Sequence, residues 1–163
     1  MNNVIEFERR YPTSIDDGAL FIDQVKYRPS PEVAKKVYSG IQRLGNLQEN
    51  WDGMSAKSPT ENAIHGAIRW VGELFRSDTP APDVFPVPNG NIQIEWSCCE
   101  LDLEIEIESI STCYVSYEDY RRGNEENWER KFVYDIGKLS TVIDLLSFRY
   151  TEEREGHLLG NAG

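Results

Sequence analysis

Positively charged residues are missing from the middle of this chain. No Lys, Arg or His occurs between Arg76 and Arg121, and the 44 residues of this base-free segment include 10 acidic ones. The rest of the chain holds all 17 Lys and Arg and 18 of the 28 Asp and Glu, so the base-free segment carries nearly all of the net charge of -11. This charge argues against direct contact with nucleic acid or an anionic membrane, and its natural complement is a basic partner.

Cysteines and long apolar runs are also scarce. Three cysteines, two of them adjacent, make a poor disulfide framework, and with only two histidines they lack the spaced pairs of a zinc site. The first twenty residues mix charges with few apolar side chains, which excludes a signal-peptide core or a membrane span there. We therefore expect a cytoplasmic protein with free thiols and without a cofactor.

Apolar residues at helical spacing predict three helices. The first begins with Ser30 as its N-cap, followed by proline at the first helical position. The second begins with a capping box formed by Ser58 and Glu61. The third covers residues 136 to 149 and is capped by Asp135.

Short alternating segments between the second and third helices predict an antiparallel sheet. Asn89 and Gly90 form a strong hairpin signal between residues 84 to 87 and 92 to 96. Three further strands are predicted, at residues 100 to 108, 112 to 117 and 128 to 134. The short connections favour pairing of chain neighbours. The predicted fold class is α+β, with a four- to five-stranded antiparallel meander sheet and helices packed on one face.

The length and the hydrophobic content of 39% fit a single domain, which we place at residues 30 to 150. Residues 1 to 29 contain two short apolar runs separated by turn residues, which predicts an N-terminal arm or hairpin. Residues 151 to 163 are polar and contain glycine, which predicts a flexible tail.

The first two helices are joined by a loop of characteristic sequence, Asn50, Trp51, Asp52 and Gly53. With the proline-rich link and the Asn-Gly hairpin ending in Glu95 and Trp96, this loop resembles a group of small, functionally uncharacterised bacterial and phage proteins. The resemblance covers about residues 44 to 108 and implies no activity. The loop is either structural, with Trp51 filling a gap between helix ends and Asp52 binding amides of its own turn, or a small-molecule pocket.

The acidic strand, residues 99 to 109, alternates apolar and acidic residues. In a strand, Asp102, Glu104, Glu106 and Glu108 share one face. Neighbouring carboxylates on that face are about 6.6 Å apart and repel by only about 0.6 kcal/mol in water. The row is therefore compatible with a solvated face, with a surface for a basic partner, or with a metal site.

Our main hypothesis from the sequence is a non-enzymatic interaction module that covers the basic surface of a nucleic-acid-binding protein, as an antitoxin-like or phage-encoded inhibitor would. Four carboxylates fall short of the charge of a duplex, so mimicry of nucleic acid requires more acids, such as Glu100 and Asp119, on the same face. The predicted partner-binding residues are Glu95, Asp102, Glu104, Glu106, Glu108, Tyr114, Glu118 and Tyr120.

An alternative hypothesis is a magnesium-dependent nuclease. Glu129 and Lys131 form a Glu-x-Lys pattern, and with Asp102 upstream they resemble the site of the PD-(D/E)xK nucleases. The resemblance implies that the carboxylates hold Mg²⁺ while the lysine stabilises charge on the phosphate. The usual Pro-Asp pair is absent from this chain.

Overall fold

The structure, a computed structural model, describes residues 29 to 123, 127 to 133 and 136 to 160. The predicted N-terminal arm, apart from residue 29, and the predicted cap Asp135 lie outside these ranges. The described elements, in chain order, are α1 (Pro31–Gly45), α2 (Glu61–Leu74), β1 (Asp83–Pro86), β2 (Ile92–Cys98), β3 (Leu101–Ile107), β4 (Thr112–Asp119), β5 (Trp128–Val133) and α3 (Gly137–Gly160).

The five strands form one sheet in the order β1-β2-β3-β4-β5, and every strand pairs antiparallel with its chain neighbour. The predicted α+β meander is confirmed. The alternation of β3 explains the layering, because Leu103 and Ile105 are buried whereas Glu104 between them is exposed. The core lies between this apolar face and the helices, whose main buried side chains are Val37, Ile41, Ala67, Trp70, Leu74, Leu139, Ile143 and Leu146.

Helix starts follow local hydrogen bonding. Ser30 caps α1 as predicted, with its Oγ accepting from the backbone N–H of Val33 at 3.3 Å. The capping box predicted at Ser58 is wrong, since Thr60 is the N-cap of α2 and accepts from the backbone N–H of Ala63 at 3.1 Å. Ser58 instead donates through its backbone and its hydroxyl to the carboxylate of Glu49.

The last helix is longer than the sequence pattern indicated. α3 runs to Gly160, well past the predicted end at residue 149. Residues 151 to 160, predicted as part of a flexible tail, thus continue the helix, and residues 152 to 158 have exposed side chains. Glutamate, arginine and leucine in this segment have favourable helix propensities, which the apolar spacing alone does not register.

A two-residue turn joins β2 to β3, where the sequence had predicted strand from residue 100. Cys99 and Glu100 both have positive φ angles, 60° and 54°, as the preferred type of two-residue hairpin turn requires. Residues that follow β4 stabilise this turn, since the backbone N–H of Tyr120 donates to the carbonyl of Glu100 at 3.0 Å. Arg121 also forms an ion pair with the Glu100 carboxylate.

Asp119 lies at the end of β4 on the helix side of the sheet, not on the acidic side as the mimicry argument required. Its carboxylate is buried and accepts from Arg149 Nη1 and Nη2 at 2.9 and 2.8 Å. Tyr117 OH and the backbone N–H of Arg121 donate to it at 3.0 Å each. Burial works to raise the pKa of Asp119, but the hydrogen bonds from Arg149, Tyr117 and Arg121 outweigh it and hold the pKa below its ordinary value.

Candidate functional site

The sheet face opposite the helices presents its side chains in rows that cross the strands. The strand register places five residues in one such row, one from each strand: Asp83, Glu95, Glu104, Ser116 and Glu129. Neighbouring strands lie about 4.8 Å apart, so this row spans about 19 Å. Four of its five side chains are carboxylates.

Further acids flank this row at a distance of about 7 Å along the strands. On one side Asp102 pairs with Glu118, and on the other side Glu106 lies between Gln93 and Tyr114. We use the name acidic face for a set of carboxylates on this side of the sheet, which are Glu95, Asp102, Glu104, Glu106, Glu108, Glu118 and Glu129. The face thus combines side chains of four strands, β2 to β5, with Glu108 just beyond the end of β3.

Glu104 lies at the electrostatic centre of the acidic face. Partial burial raises the pKa of its carboxyl group above the ordinary value, and repulsion by Glu95 and Asp102 raises it further. Glu118 and Glu129 act in the same direction, and no cation opposes them at Glu104 among the described residues. Carboxylates from all four strands, β2 to β5, thus act on Glu104.

Neutral donors hold several of these carboxylates in place. Asn89 Nδ2 and Asn91 Nδ2 donate to Glu106 Oε1 at 2.8 and 2.7 Å. Gln93 Nε2 donates to Glu95 Oε2 at 2.8 Å. These bonds fix the orientation of the carboxylates and leave their full negative charge, because amide donors carry none of their own.

On the other side of the acidic face, Tyr120 is also a neutral donor that orients a carboxylate. It follows β4 and is 57% exposed, and its hydroxyl donates to the carboxylate of Asp102 and lies 3.3 Å from Glu118 Oε2. The hydrogen bond to Asp102 raises the pKa of Tyr120 to about 12. The phenol therefore stays neutral over the physiological pH range.

The described cations near this sheet lie at its margins. Lys131 Nζ on β5 is 3.0 Å from Tyr114 OH and 3.9 Å from Glu108 Oε2, and the hydrogen bond with Tyr114 raises the pKa of Lys131. At the opposite edge Lys36 of α1 is 3.6 Å from Asp83. Six members of the acidic face, all except Glu108, have no cationic partner within the described parts of the chain.

Of the eight residues predicted to bind a partner, six lie on the outer face of β2, β3 and β4, and the other two adjoin it. Glu108 receives a hydrogen bond from Tyr114 at 3.1 Å, and Tyr120 reaches back over the face. The sequence prediction did not include the supporting amides of Asn89 and Asn91, although their position at the Asn-Gly turn next to β3 was an available signal. Glu129 was considered only as a catalytic residue.

The three residues of the nuclease hypothesis are not brought together. Asp102 pairs with Glu118 in β4, whereas Glu129 pairs with Ser116, so β4 and two residues of strand separate the two carboxylates. Parallel side chains at that separation, roughly 12 Å, do not reach one Mg²⁺ ion, whose ligands lie about 2.1 Å from it. Lys131 points to Tyr114 and Glu108 instead. Within the described ranges no group of three or more His, Cys, Asp or Glu has the geometry of a metal site.

The loop after α1 is closed by its own hydrogen bonds. Asp52 Oδ1 accepts from the backbone N–H groups of Met54 and Ala56 at 2.7 and 3.0 Å, and the bond from Met54 lowers the pKa of Asp52. Asn50 Oδ1 accepts from the N–H of Ser55 at 2.7 Å. Gly53 adopts a φ of 75°. These contacts match the structural interpretation of the loop, in which Asp52 binds its own turn.

Trp51 is half-buried and donates from Nε1 to the carbonyl of Lys57 at 2.9 Å. A cavity of about 500 Å³ is found elsewhere, next to α3. Its lining residues are Arg76, Ser77, Asp78, Asp144, Ser147, Phe148 and Thr151. The small-molecule pocket considered at Trp51 thus does not coincide with this cavity.

Comparison with protein-family models, with curated proteins and with solved structures gave no match for this chain. The resemblance to the Asn-Trp-Asp-Gly proteins therefore stays a prediction. Among the described helices, none combines the length and hydropathy that crossing a bilayer requires.

Proposed function

We propose that this protein is a non-enzymatic interaction module whose acidic face binds the basic surface of another protein. The observation that carries this proposal is the position of Glu104 among four further carboxylates, with no opposing cation in the part of the chain that the structure describes. A lysine or arginine of a partner placed over Glu104 would relieve this repulsion and interact favourably with several carboxylates at once. Mixed charges would make a more stable solvated surface, so the concentration of one sign favours a role in binding.

The charge density of the acidic face supports a nucleic-acid-binding protein as the partner. A duplex carries about 12 phosphates in 20 Å of axis, and a protein on one side of it meets roughly half of them. The acidic face offers six carboxylates without a cationic partner among the described residues, over a width of about 14 Å from β2 to β5. A protein that covers a partner's nucleic-acid site in this way would act as an inhibitor, as antitoxins and phage-encoded inhibitors do.

The proposal is tested with a variant that removes charge and keeps shape. In E95Q/E104Q/E118Q three central carboxylates of the acidic face become amides. The matched control D78N/E152Q/E155Q neutralises three exposed acids that do not belong to the acidic face, one after α2 and two on α3. Both variants and the unmodified chain are used to capture proteins from a bacterial lysate at about 0.1 M and about 1 M salt, where the Debye length falls from about 10 to 3 Å.

The expected result is a protein that the unmodified chain and the control retain at low salt, that the E95Q/E104Q/E118Q variant loses, and that duplex DNA displaces. Higher salt should weaken its capture strongly, because the attraction is between exposed charges. Equal capture by both variants, or capture that is indifferent to salt, would contradict the proposal.

A further inference from the structure

The two edges of the described sheet differ in their ability to pair with another strand. β1 is only four residues long and contains Pro86, with Pro82 and Pro88 close to its ends. Proline and short length are common ways of protecting an edge. β5 has six residues without proline or glycine, and β4 is the only strand to which the described sheet pairs it. Among the described residues, no strand pairs with the other side of β5, so that side offers backbone groups for pairing.

Within the described part of the chain, side chains of β5 are exposed on both faces of the sheet. On the outer face Val133 is 51% exposed and Lys131 is exposed as well. On the helix face Arg130 is exposed too, so the described helices do not cover the strand at its centre. Phe132 on the helix face is buried, however, and Lys138 of α3 lies over the ring of the half-buried Trp128. Within the described residues, another strand can therefore approach β5 along its outer face and at its centre.

The sequence of β5, Trp-Glu-Arg-Lys-Phe-Val, is complementary to itself in one antiparallel register. When Arg130 lies opposite Arg130 of a second copy, Glu129 of each copy lies opposite Lys131 of the other, and Trp128 opposite Phe132. Opposite charges and aromatic pairs directly across two strands are stabilising. We propose that β5 pairs with β5 of a second copy in this register and joins two sheets into one of ten strands. The dimer does not rest on the proposed binding role of the acidic face, although Glu129 belongs both to that face and to the pairing edge.

Charges on edge strands usually prevent pairing, so the proposed register must be compared with the other registers that two copies of β5 could adopt. Opposite residues must lie on the same face, which restricts the register to shifts that keep this parity. A shift in one direction places Glu129 opposite Glu129, and a shift in the other places Lys131 opposite Lys131, and both are repulsive. The charges thus select the register centred on Arg130.

The Arg130 pair is the unfavourable element of this register. Each guanidinium lies over its own Phe132 ring, 5.6 Å from the ring centroid, on an exposed part of the strand. Exposure to water and the two nearby aromatic rings reduce the repulsion between the arginines. The interface is small, so a weak dimer is expected, in the micromolar range or above.

The first experiment measures the oligomeric state of the full chain by sedimentation between about 1 μM and 1 mM. The unmodified chain should dimerise within this range. Reversing either charge, with Glu129→Lys or Lys131→Glu, converts two attractive pairs into repulsive ones and should weaken the dimer by about tenfold or more. The double variant E129K/K131E restores both attractive pairs and should dimerise like the unmodified chain. A chain that stays monomeric at every concentration, or a double variant weaker than both single ones, would overturn the proposal.

A second experiment fixes the register. Arg130→Cys places two thiols directly across the two-fold axis, where Cβ atoms about 5 Å apart are close to disulfide geometry. Oxidation by disulfide exchange with oxidised glutathione should therefore give a covalent dimer of this variant. Lys131→Cys serves as the control, because its counterpart across the strands is residue 129 and not a cysteine. Preferential cross-linking of Lys131→Cys, or equal cross-linking of both variants and the unmodified chain, would contradict the register.

Discussion

Replacing Arg149 by methionine removes the cation of a buried ion pair and keeps most of the side-chain volume. The Asp119 carboxylate is then left without its two guanidinium hydrogen bonds of 2.9 and 2.8 Å. Its remaining partners are Tyr117 OH, the backbone N–H of Arg121 and, at the longer distance of 3.7 Å, Nε of the exposed Arg122. Because the Asp119 side chain is fully buried and Arg149 only 5% exposed, water does not replace the lost partner. Loss of one member of such a pair costs about 3 to 5 kcal/mol of the free energy of unfolding at neutral pH.

The pH dependence of the stability loss provides a second test of this prediction. In the unmodified protein the pKa of Asp119 is lower than in the unfolded chain, where it is about 3.9. The ionised carboxylate therefore stabilises the fold above about pH 3.9, and this contribution disappears as the pH falls through the pKa of Asp119 in the folded protein. Without Arg149, the strongest of the hydrogen-bonding influences that lower the pKa of Asp119 is lost while burial still acts to raise it, so the pKa should rise. In acid the Asp119 carboxylate of the variant becomes protonated, so the variant no longer buries an unpaired negative charge. The difference in unfolding free energy should therefore be smaller near pH 4 than at pH 7.

Urea unfolding followed by tryptophan fluorescence at the two pH values measures both quantities. Arg154→Met is the control, since Arg154 is an exposed arginine of the same helix, and its replacement should change stability by less than about 0.5 kcal/mol. The double variant D119L/R149M should be more stable than Arg149→Met alone, because it buries no unpaired charge. A cost below about 1 kcal/mol, or an equal cost at both pH values, would refute the assignment of a buried ion pair.

Three further predictions concern other parts of the structure. Gly66→Ala places a Cβ too close to the backbone oxygen of Ser109 in the β3–β4 turn and should lower the free energy of unfolding by at least about 1 to 3 kcal/mol. Gly156→Ala, which has no atom within 4 Å of the added Cβ, should raise it by up to about 1 kcal/mol, and thermal unfolding compares the two variants. Glu104→Gln should stabilise the fold at pH 7, because its folded pKa is raised and its ionisation therefore opposes folding; urea titrations should show this gain vanishing in acid, and no gain at pH 7 would contradict the crowding of the carboxylates. Burial raises the pKa of both Cys99 and Cys113 to about 12, so a thiol reagent at pH 8 should leave them unlabelled until the protein unfolds; rapid labelling of either in the native state would contradict their burial.

Local signals predicted most of the fold. The Asn-Gly hairpin and the period-two alternation determine the strands, and Ser30 with its following proline determines the start of α1. The β2–β3 turn was missed because Cys99 and Glu100 are not the residues usually found at positive φ. Contacts with Tyr120 and Arg121, distant in sequence, support that turn, so no local pattern could indicate it.

The acidic face was partly predictable because strand parity alone places side chains on one side. The same parity also indicates that Asp119 points inward, since Cys113, Val115 and Tyr117 alternate with outward residues in β4. Its partner Arg149, in the last helix, depends on tertiary packing and could not be found from spacing. The addition of Glu129 to the central row depends on the register of β4 and β5, which the sequence of the intervening loop does not specify.

The meander arrangement also has a kinetic consequence. Every strand is hydrogen-bonded to the one beside it in the chain, so each hairpin closes a short loop at small entropic cost. Proteins with such local contacts fold faster than those whose sheets join distant segments. The ion pair between Asp119 and Arg149 spans 30 residues and requires the last helix to be docked. We therefore expect the hairpins to organise the folding nucleus, with consolidation of that helix as the later event.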